Sequence, residues 1–260
     1  MQIFSASPRM WRAKGPDAGD IARMRTAREK LDVNPVAIHA NYLVNLATLE
    51  HDVREKSVAS FRGELDRAAA IGAEYLIVHP GNYKGQTAEQ GVAAFVLGLA
   101  EAADPAKHRN VTVLLENTVG AGHQIGSRLE ELRMIRDLAA RETELSIAYC
   151  LDTCHLLAAG FDIATEAGLT ATAAHVERVL GFDLVKVIHT NDSKGALGSH
   201  LDRHENIGAG KIGAEGFRRI LAHPSFRDKP FILETPEDEG KGTGHREDVA
   251  LLWHLARTGA

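Results

Sequence analysis

Cysteine is nearly missing from this chain: Cys150 and Cys154 are the only two in 260 residues. Neither builds a zinc cluster alone, and a disulfide is not expected in the cytosol. Both read as small buried hydrophobes. Long hydrophobic runs are lacking too. Nowhere do about 18 apolar residues follow one another, which excludes an obvious transmembrane helix. The opening stretch MQIFSASPRMWRAKG has no apolar core of signal-peptide length, so the expected location is cytoplasmic. Without low-complexity linkers or composition shifts, a single domain over residues 1–260 is the simplest organisation. A basic excess is also absent. The net charge of −5 weighs against a nucleic-acid partner, although bound divalent cations can turn the groove of an acidic chain positive.

What is present is ordinary for a globular protein: 44% hydrophobic residues and a quarter charged. Short β-rich runs alternate with helical patterns along the whole length. The strand candidates are residues 2–5, 36–39, 75–79, 111–116, 146–152, 185–190 and 230–234. Several are continuously apolar, as strands covered on both faces are. Helical periodicity marks residues 53–71, 129–140, 213–221 and 246–257. Strict β-α alternation predicts a parallel sheet. Seven units fall between an open doubly wound sheet and an eight-stranded barrel of about 250 residues.

The ends of the strands favour the barrel. Six candidates finish in, or within a residue or two of, a metal-ligating side chain: His39, His79 (VHPG), Glu116 (LLENT), Asp152 (CLDTCH), His189 (VIHTND) and Glu234 (ILETP). In a parallel barrel all such ends face one rim, where active sites are built. His155 follows Asp152 by three residues, and Asp202 and His204 form an Asp-x-His pair after His189. A lone histidine is usually an ordinary core or surface residue, and His51, His108, His123, His175, His200, His223, His245 and His254 are read so. A carboxylate ending an apolar strand is less ordinary, because burial demands a partner for its charge. Imidazole and carboxylate without thiolate suit zinc or manganese in a catalytic site.

The segments HPGNYKG, LLENTVGAGHQIG, CLDTCHLLAAGFD, VIHTNDSKGALGSHLDRHENIGAGKIG and FILETP resemble the signature segments of the endonuclease IV family, from about residue 1 to residue 255. That resemblance implies a TIM (β/α)8-type barrel, with only seven strand–helix units visible here, and a trinuclear zinc centre. It places a first zinc on His39, His79 and Glu116. Glu116 also bridges to a second held by Asp152, His189 and Glu234, and a third sits on His155, Asp202 and His204, where manganese is an alternative. The implied activity is repair of DNA: hydrolysis of the phosphodiester 5′ to an abasic site, leaving a 3′-hydroxyl and a 5′-deoxyribose phosphate. A metal-bridging hydroxide would attack, since coordination brings the pKa of water to about 7. Glu116 is the expected catalytic orienter of that nucleophile.

By the same resemblance Arg9 (SPRMW) and Tyr42 (HANYLVN) enter the duplex where the abasic nucleotide is flipped out, replacing lost stacking. Lys84, Lys194, Arg203 and Lys211 lie in the expected rim loops and are candidates to neutralise phosphates of double-stranded DNA. Trp11 reads as packing. The family precedent is a monomer, and no membrane partner is expected. Two departures stand out. Family chains begin with one more strand and helix, roughly thirty residues; an upstream start codon is favoured over an incomplete barrel covered by a partner or a degraded copy, and without that unit two strand edges would lie unpaired. Ala40 follows His39 where the family often has aspartate, which removes one orienting hydrogen bond.

Two rival readings compete with this one. A xylose-isomerase-like sugar isomerase or epimerase holds one metal with two glutamates, an aspartate and a histidine, which Glu116, Asp152, His189 and Glu234 would satisfy; the other five ligands would then have no use. A non-catalytic binder of damaged DNA would keep Arg9 and Tyr42 while losing ligands, the reverse of what is seen.

Overall fold

A computed structural model describes residues 1–11, 14–237 and 244–258. The chain divides into two compact units, one of residues 1–116 with 131–148, the other of residues 117–130 with 149–260.

The first unit runs β1 (Gln2–Ile3), α1 (Ala18–Leu31), β2 (Ala37–His39), α2 (His51–Ile71), β3 (Tyr75–Val78), α3 (Ala88–Ala102), α4 (Pro105–His108), β4 (Thr112–Glu116) and most of α5 (Leu129–Glu142). The second takes up most of β5 (Ser146–Asp152) and continues through α6 (Thr153–Ala159), α7 (Glu166–Val179), β6 (Val185–His189), β7 (Asp192–Ser193), β8 (His204–Glu205), α8 (Gly213–Ala222), β9 (Phe231–Ile232) and α9 (Gly244–Thr258). Seven strands follow the order β1-β2-β3-β4-β5-β6-β9, and β7 with β8 makes a separate two-stranded ribbon. The seven strand candidates of the sequence are the seven strands of this sheet, mostly shortened by a residue or more at their ends.

Within the first unit, neighbouring strands are parallel, with Ala37 level with Tyr75, His39 with Ile77, and Val78 with Leu115. Leu76, Ile77, Val113, Leu114 and Leu115 are wholly buried although consecutive side chains point to opposite faces, so both faces of these strands are covered. Helix α2 supplies part of that cover through Val58, Phe61, Leu65 and Ala68, at the three- and four-residue spacing of one helical face. Helix α3 buries Val92, Phe95, Val96 and Leu99 and opens on a capping box of Thr87 and Gln90.

Helix α1 is different. It buries no residue, which is why hydrophobic periodicity does not reveal it. Arginines hold it: Arg25 Nη2 donates to the carbonyl of Ala70 (2.7 Å) and Arg28 Nη1 to that of Gly72 (2.6 Å), at the carbonyl-rich C-terminus of α2. Arg28 also pairs with Glu74.

In the second unit, β5, β6 and β9 are parallel, with Asp152 level with His189 and His189 level with Ile232. The ribbon is antiparallel, with Asp192 opposite Glu205 and Ser193 opposite His204. Among the described residues no helix is long and apolar enough to cross a membrane.

Candidate metal centre

In the first unit, three strand ends deliver three candidate ligand side chains to one point. His39 is the last residue of β2, His79 follows β3 directly, and Glu116 ends β4. Their ligand atoms lie within 4.8 Å of one another. Nε2 of His39 stands 3.2 Å from Glu116 Oε2, and Nε2 of His79 stands 3.1 Å from the same oxygen. The two imidazoles meet edge to face, centroids 5.5 Å apart. Glu116 is wholly buried.

The tautomer of His39 follows from its other nitrogen. Nδ1 sits 2.8 Å from the carbonyl oxygen of Ala40, which can only accept. In the neutral ring Nδ1 therefore carries the proton and Nε2 turns a lone pair toward the Glu116 carboxylate. Two acceptors face each other at hydrogen-bond distance, an arrangement that a cation between them relieves. The backbone of Ala40 thus supplies an orienting contact at the position where the sequence led us to expect one lost with the aspartate.

The second unit holds the other six. Register places Asp152 beside His189, and His189 Nδ1 lies 3.2 Å from Glu234 Oε2. Asp152 also belongs with His155 and His204, ligand atoms again within 4.8 Å. His155 Nε2 is 3.3 Å from Asp202 Oδ1, and His204 Nε2 is 3.5 Å from the same atom. Both rings repeat the logic of His39. His155 Nδ1 faces the carbonyl of Asn117 (2.9 Å) and His204 Nδ1 that of Glu234 (3.0 Å), so each Nε2 lone pair points at carboxylate oxygen. Asp202 is 45% exposed, the most open of the set.

Several positioning groups escaped the sequence reading. Asn117 accepts from the amide of Asp152 (2.7 Å) and donates to its carbonyl. Asn191 donates to Asp152 Oδ2 (2.5 Å) and accepts from the amide of Glu234 (2.8 Å), tying two strand ends together. Asp248, on α9, accepts from Asn206 Nδ2, Ile207 N and Thr235 Oγ1. The one available signal was polarity in an unpromising place: LLENT and VIHTND carry on past the strand end with residues that turn out buried.

Cys154 approaches Asp202 and His204 closely enough to count among the ligand types there. Burial first, and the charge of Asp152 second, push its thiol up to about 11. It donates instead to the carbonyl of Arg203 (3.7 Å), in keeping with the bland reading of both cysteines, which are buried.

Arg9 and Tyr42 lie on neighbouring loops. The amide of Tyr42 donates to the Pro8 carbonyl (3.1 Å), and buried Asn41 donates through Nδ2 to the carbonyls of Ser7 and Met10. Tyr42 is 58% exposed, with its ring 5.4 Å from Phe4 and 5.6 Å from His39. Lys84, Lys194, Arg203 and Lys211 are exposed. Lys194 Nζ lies 3.8 Å from Glu205, and Arg203 donates to the carbonyl of Asp202.

Comparison with known proteins bears on these arrangements. A family profile described as a xylose isomerase-like TIM barrel matches residues 1–254. A protein named probable endonuclease 4 from Solibacter usitatus is 61% identical, over 92% of this chain and 82% of its own length. One of the same name from Methanoculleus marisnigri is 41% identical, over 96% and 89%. The crystal structure of endonuclease IV from Thermus thermophilus superposes with a TM-score of 0.80 at 38% identity, covering 97% of this chain and 88% of that one.

Proposed function

The chain belongs to the endonuclease IV family, hydrolytic nucleases on a TIM-type α/β barrel, and on that premise we propose that it incises DNA on the 5′ side of abasic sites with three zinc ions. His39, His79 and Glu116 would hold the first, Asp152, His189 and Glu234 the second with Glu116 shared, and His155, Asp202 and His204 the third, where manganese can substitute. The donor set fits: imidazole and carboxylate, with ring nitrogens whose lone pairs meet carboxylate oxygens. When bound, zinc supplies positive charge for the phosphate and a water acidic enough to react near neutral pH, with a pKa of about 7.

The protein's own groups do the rest. Glu116 orients the attacking water. Arg9 and Tyr42 fill the space of the missing base while the sugar is held out of the stack. Lys84, Lys194, Arg203 and Lys211 neutralise backbone phosphates; the pair of exposed Lys194 with half-buried Glu205, 3.8 Å apart, is weak enough to exchange for one. The products are a 3′-hydroxyl and a 5′-deoxyribose phosphate. The acting form is a cytoplasmic monomer, one barrel domain.

What carries this reading is that His155 and His204 lie beside Asp152 while both face Asp202 Oδ1, at 3.3 and 3.5 Å. A one-metal sugar isomerase on the same fold has no use for that arrangement. The test is a metal count on purified protein together with cleavage of a duplex bearing one abasic analogue. About three zinc ions per chain, and a nick 5′ to the lesion that zinc restores after stripping, are expected. One metal, no nick and turnover of a ketose would instead establish the isomerase.

A further inference from the structure

The ribbon that carries His204 is too short to hold itself. Strands β7 and β8 are two residues each, and a two-stranded pairing is marginal in water even when longer. Yet to serve one ion Asp202 and His204 must hold their ligand distances to within about 0.2 Å.

The neighbouring carboxylate is unusual. Asp192, the first residue of β7, is wholly buried. Its Oδ1 accepts from the amides of Ser193 (2.8 Å) and Ile212 (2.9 Å), and its Oδ2 from those of Gly208 (3.0 Å), Gly210 (3.0 Å) and Gly213 (3.2 Å). Charge-assisted bonds of this kind are about twice as strong as neutral ones. The IGAGKIG turn is wrapped around a single anion. Its glycines permit that wrapping: Gly208 and Gly213 have φ of 84° and 71°, and a Cβ on Gly210 would stand 2.4 Å from Asp192 Oδ1 and 2.6 Å from the Ser193 carbonyl oxygen. The amide of Lys211 then donates to the Ser193 carbonyl (2.8 Å), and that of Lys194 to the Arg203 carbonyl (2.9 Å). The chain of contacts runs from carboxylate to turn, from turn to β7, and from β7 to the residues flanking His204.

We propose that Asp192 is a positioning residue for the third metal: its carboxylate, by gathering the 208–213 turn, sets the ribbon on which Asp202 and His204 are presented. This rests on the three-ion reading above, and it adds a residue that binds no metal itself.

Two variants approach the contact from opposite sides. Asp192→Asn keeps the shape but removes the charge and turns an amide NH2 toward backbone donors. Gly210→Ala keeps the carboxylate and drives the turn off it. Each is titrated with zinc against a chromophoric chelator, and the thermal transition of the metal-free protein is recorded beside it. In both variants one of three sites should weaken by about 10–100-fold, the range for losing a partner that orients a ligand, while two sites and a cooperative transition persist. Unchanged affinity at all three sites in both variants overturns the proposal. Equal weakening of all three overturns it as well, because Asp192 would then serve the fold at large. Should Asp192→Asn lose its transition, Gly210→Ala decides by the same criteria. A wild-type count below three contradicts the three-ion reading itself and is seen before either variant is made.

Discussion

Glu116 and Asn191 show two ways in which one side chain can matter to the same chemistry. Glu116 faces two imidazole nitrogens at 3.1 and 3.2 Å, so Glu116→Gln replaces a charged acceptor by a neutral amide that can donate to them. Cleavage of the abasic duplex should fall by at least about 100-fold, the scale of removing one preorganised electrostatic group, while a gel shift still registers binding to abasic DNA. Undiminished cleavage by that variant would overturn the role given to Glu116. Asn191 binds no metal in our reading, but it joins Asp152 to Glu234. Asn191→Ala leaves a buried carboxylate oxygen and a backbone amide unmatched, at about 1–3 kcal/mol each. Zinc affinity at the second site should drop about 10–100-fold; calorimetric titration reads it, and an unaltered isotherm would assign Asn191 to packing alone.

At the level of elements, the loops after the strands are shaped by backbone requirements as much as by ligands. Gly81, in the HPGN turn beyond β3, has φ of 94°, and a Cβ there would fall 2.3 Å from Asn45 Oδ1. Asn45 is the clasp of that turn, accepting from Asn82 N and Ala47 N. Gly81→Ala should therefore lower stability by about 1–3 kcal/mol, read as an earlier denaturant midpoint. At the docking of α1, burial favours a neutral Glu74, but the Arg28 guanidinium and the amide of Val36 outweigh it, so its carboxyl stays below the ordinary glutamate value. A depressed carboxyl contributes stability above its unfolded pKa and loses it as pH falls through the folded one. Glu74→Gln should thus melt earlier than wild type at pH 7, with the gap closing toward pH 3; a gap that widens in acid would refute the assignment.

For the whole molecule, imidazole lone pairs facing carboxylate oxygens, as His39 faces Glu116 at 3.2 Å and His155 faces Asp202 at 3.3 Å, are a cost that bound cations remove. Ligands that bind only the folded state raise stability by about 2.7 kcal/mol at a hundredfold excess over Kd. For a chain of this size that is a rise of roughly 5–10 °C in Tm. Differential scanning of stripped protein with and without zinc measures it, and coincident melts would show that the clusters take no metal.

Hydrophobic runs bounded by turn residues determined the seven sheet strands, because strands covered on both faces are largely apolar, and their alternation with helical segments determined the parallel sense. Six of the nine ligand candidates were legible because a carboxylate or imidazole closing an apolar strand has few other reasons to be there, whereas His155, Asp202 and His204 lie beyond the strand ends. Three things were decided by tertiary structure alone. Helix α1 has no buried face and exists through arginines that reach the end of another helix. The tautomers of His39, His155 and His204 depend on carbonyls, two of them 30 or more residues away in sequence. The grip of Asp192 on the 208–213 turn spans about twenty residues and reads locally as one more polar loop residue. Local patterning reports which side chains avoid water, whereas hydrogen-bond direction is set by whichever donor or acceptor the folded chain brings opposite.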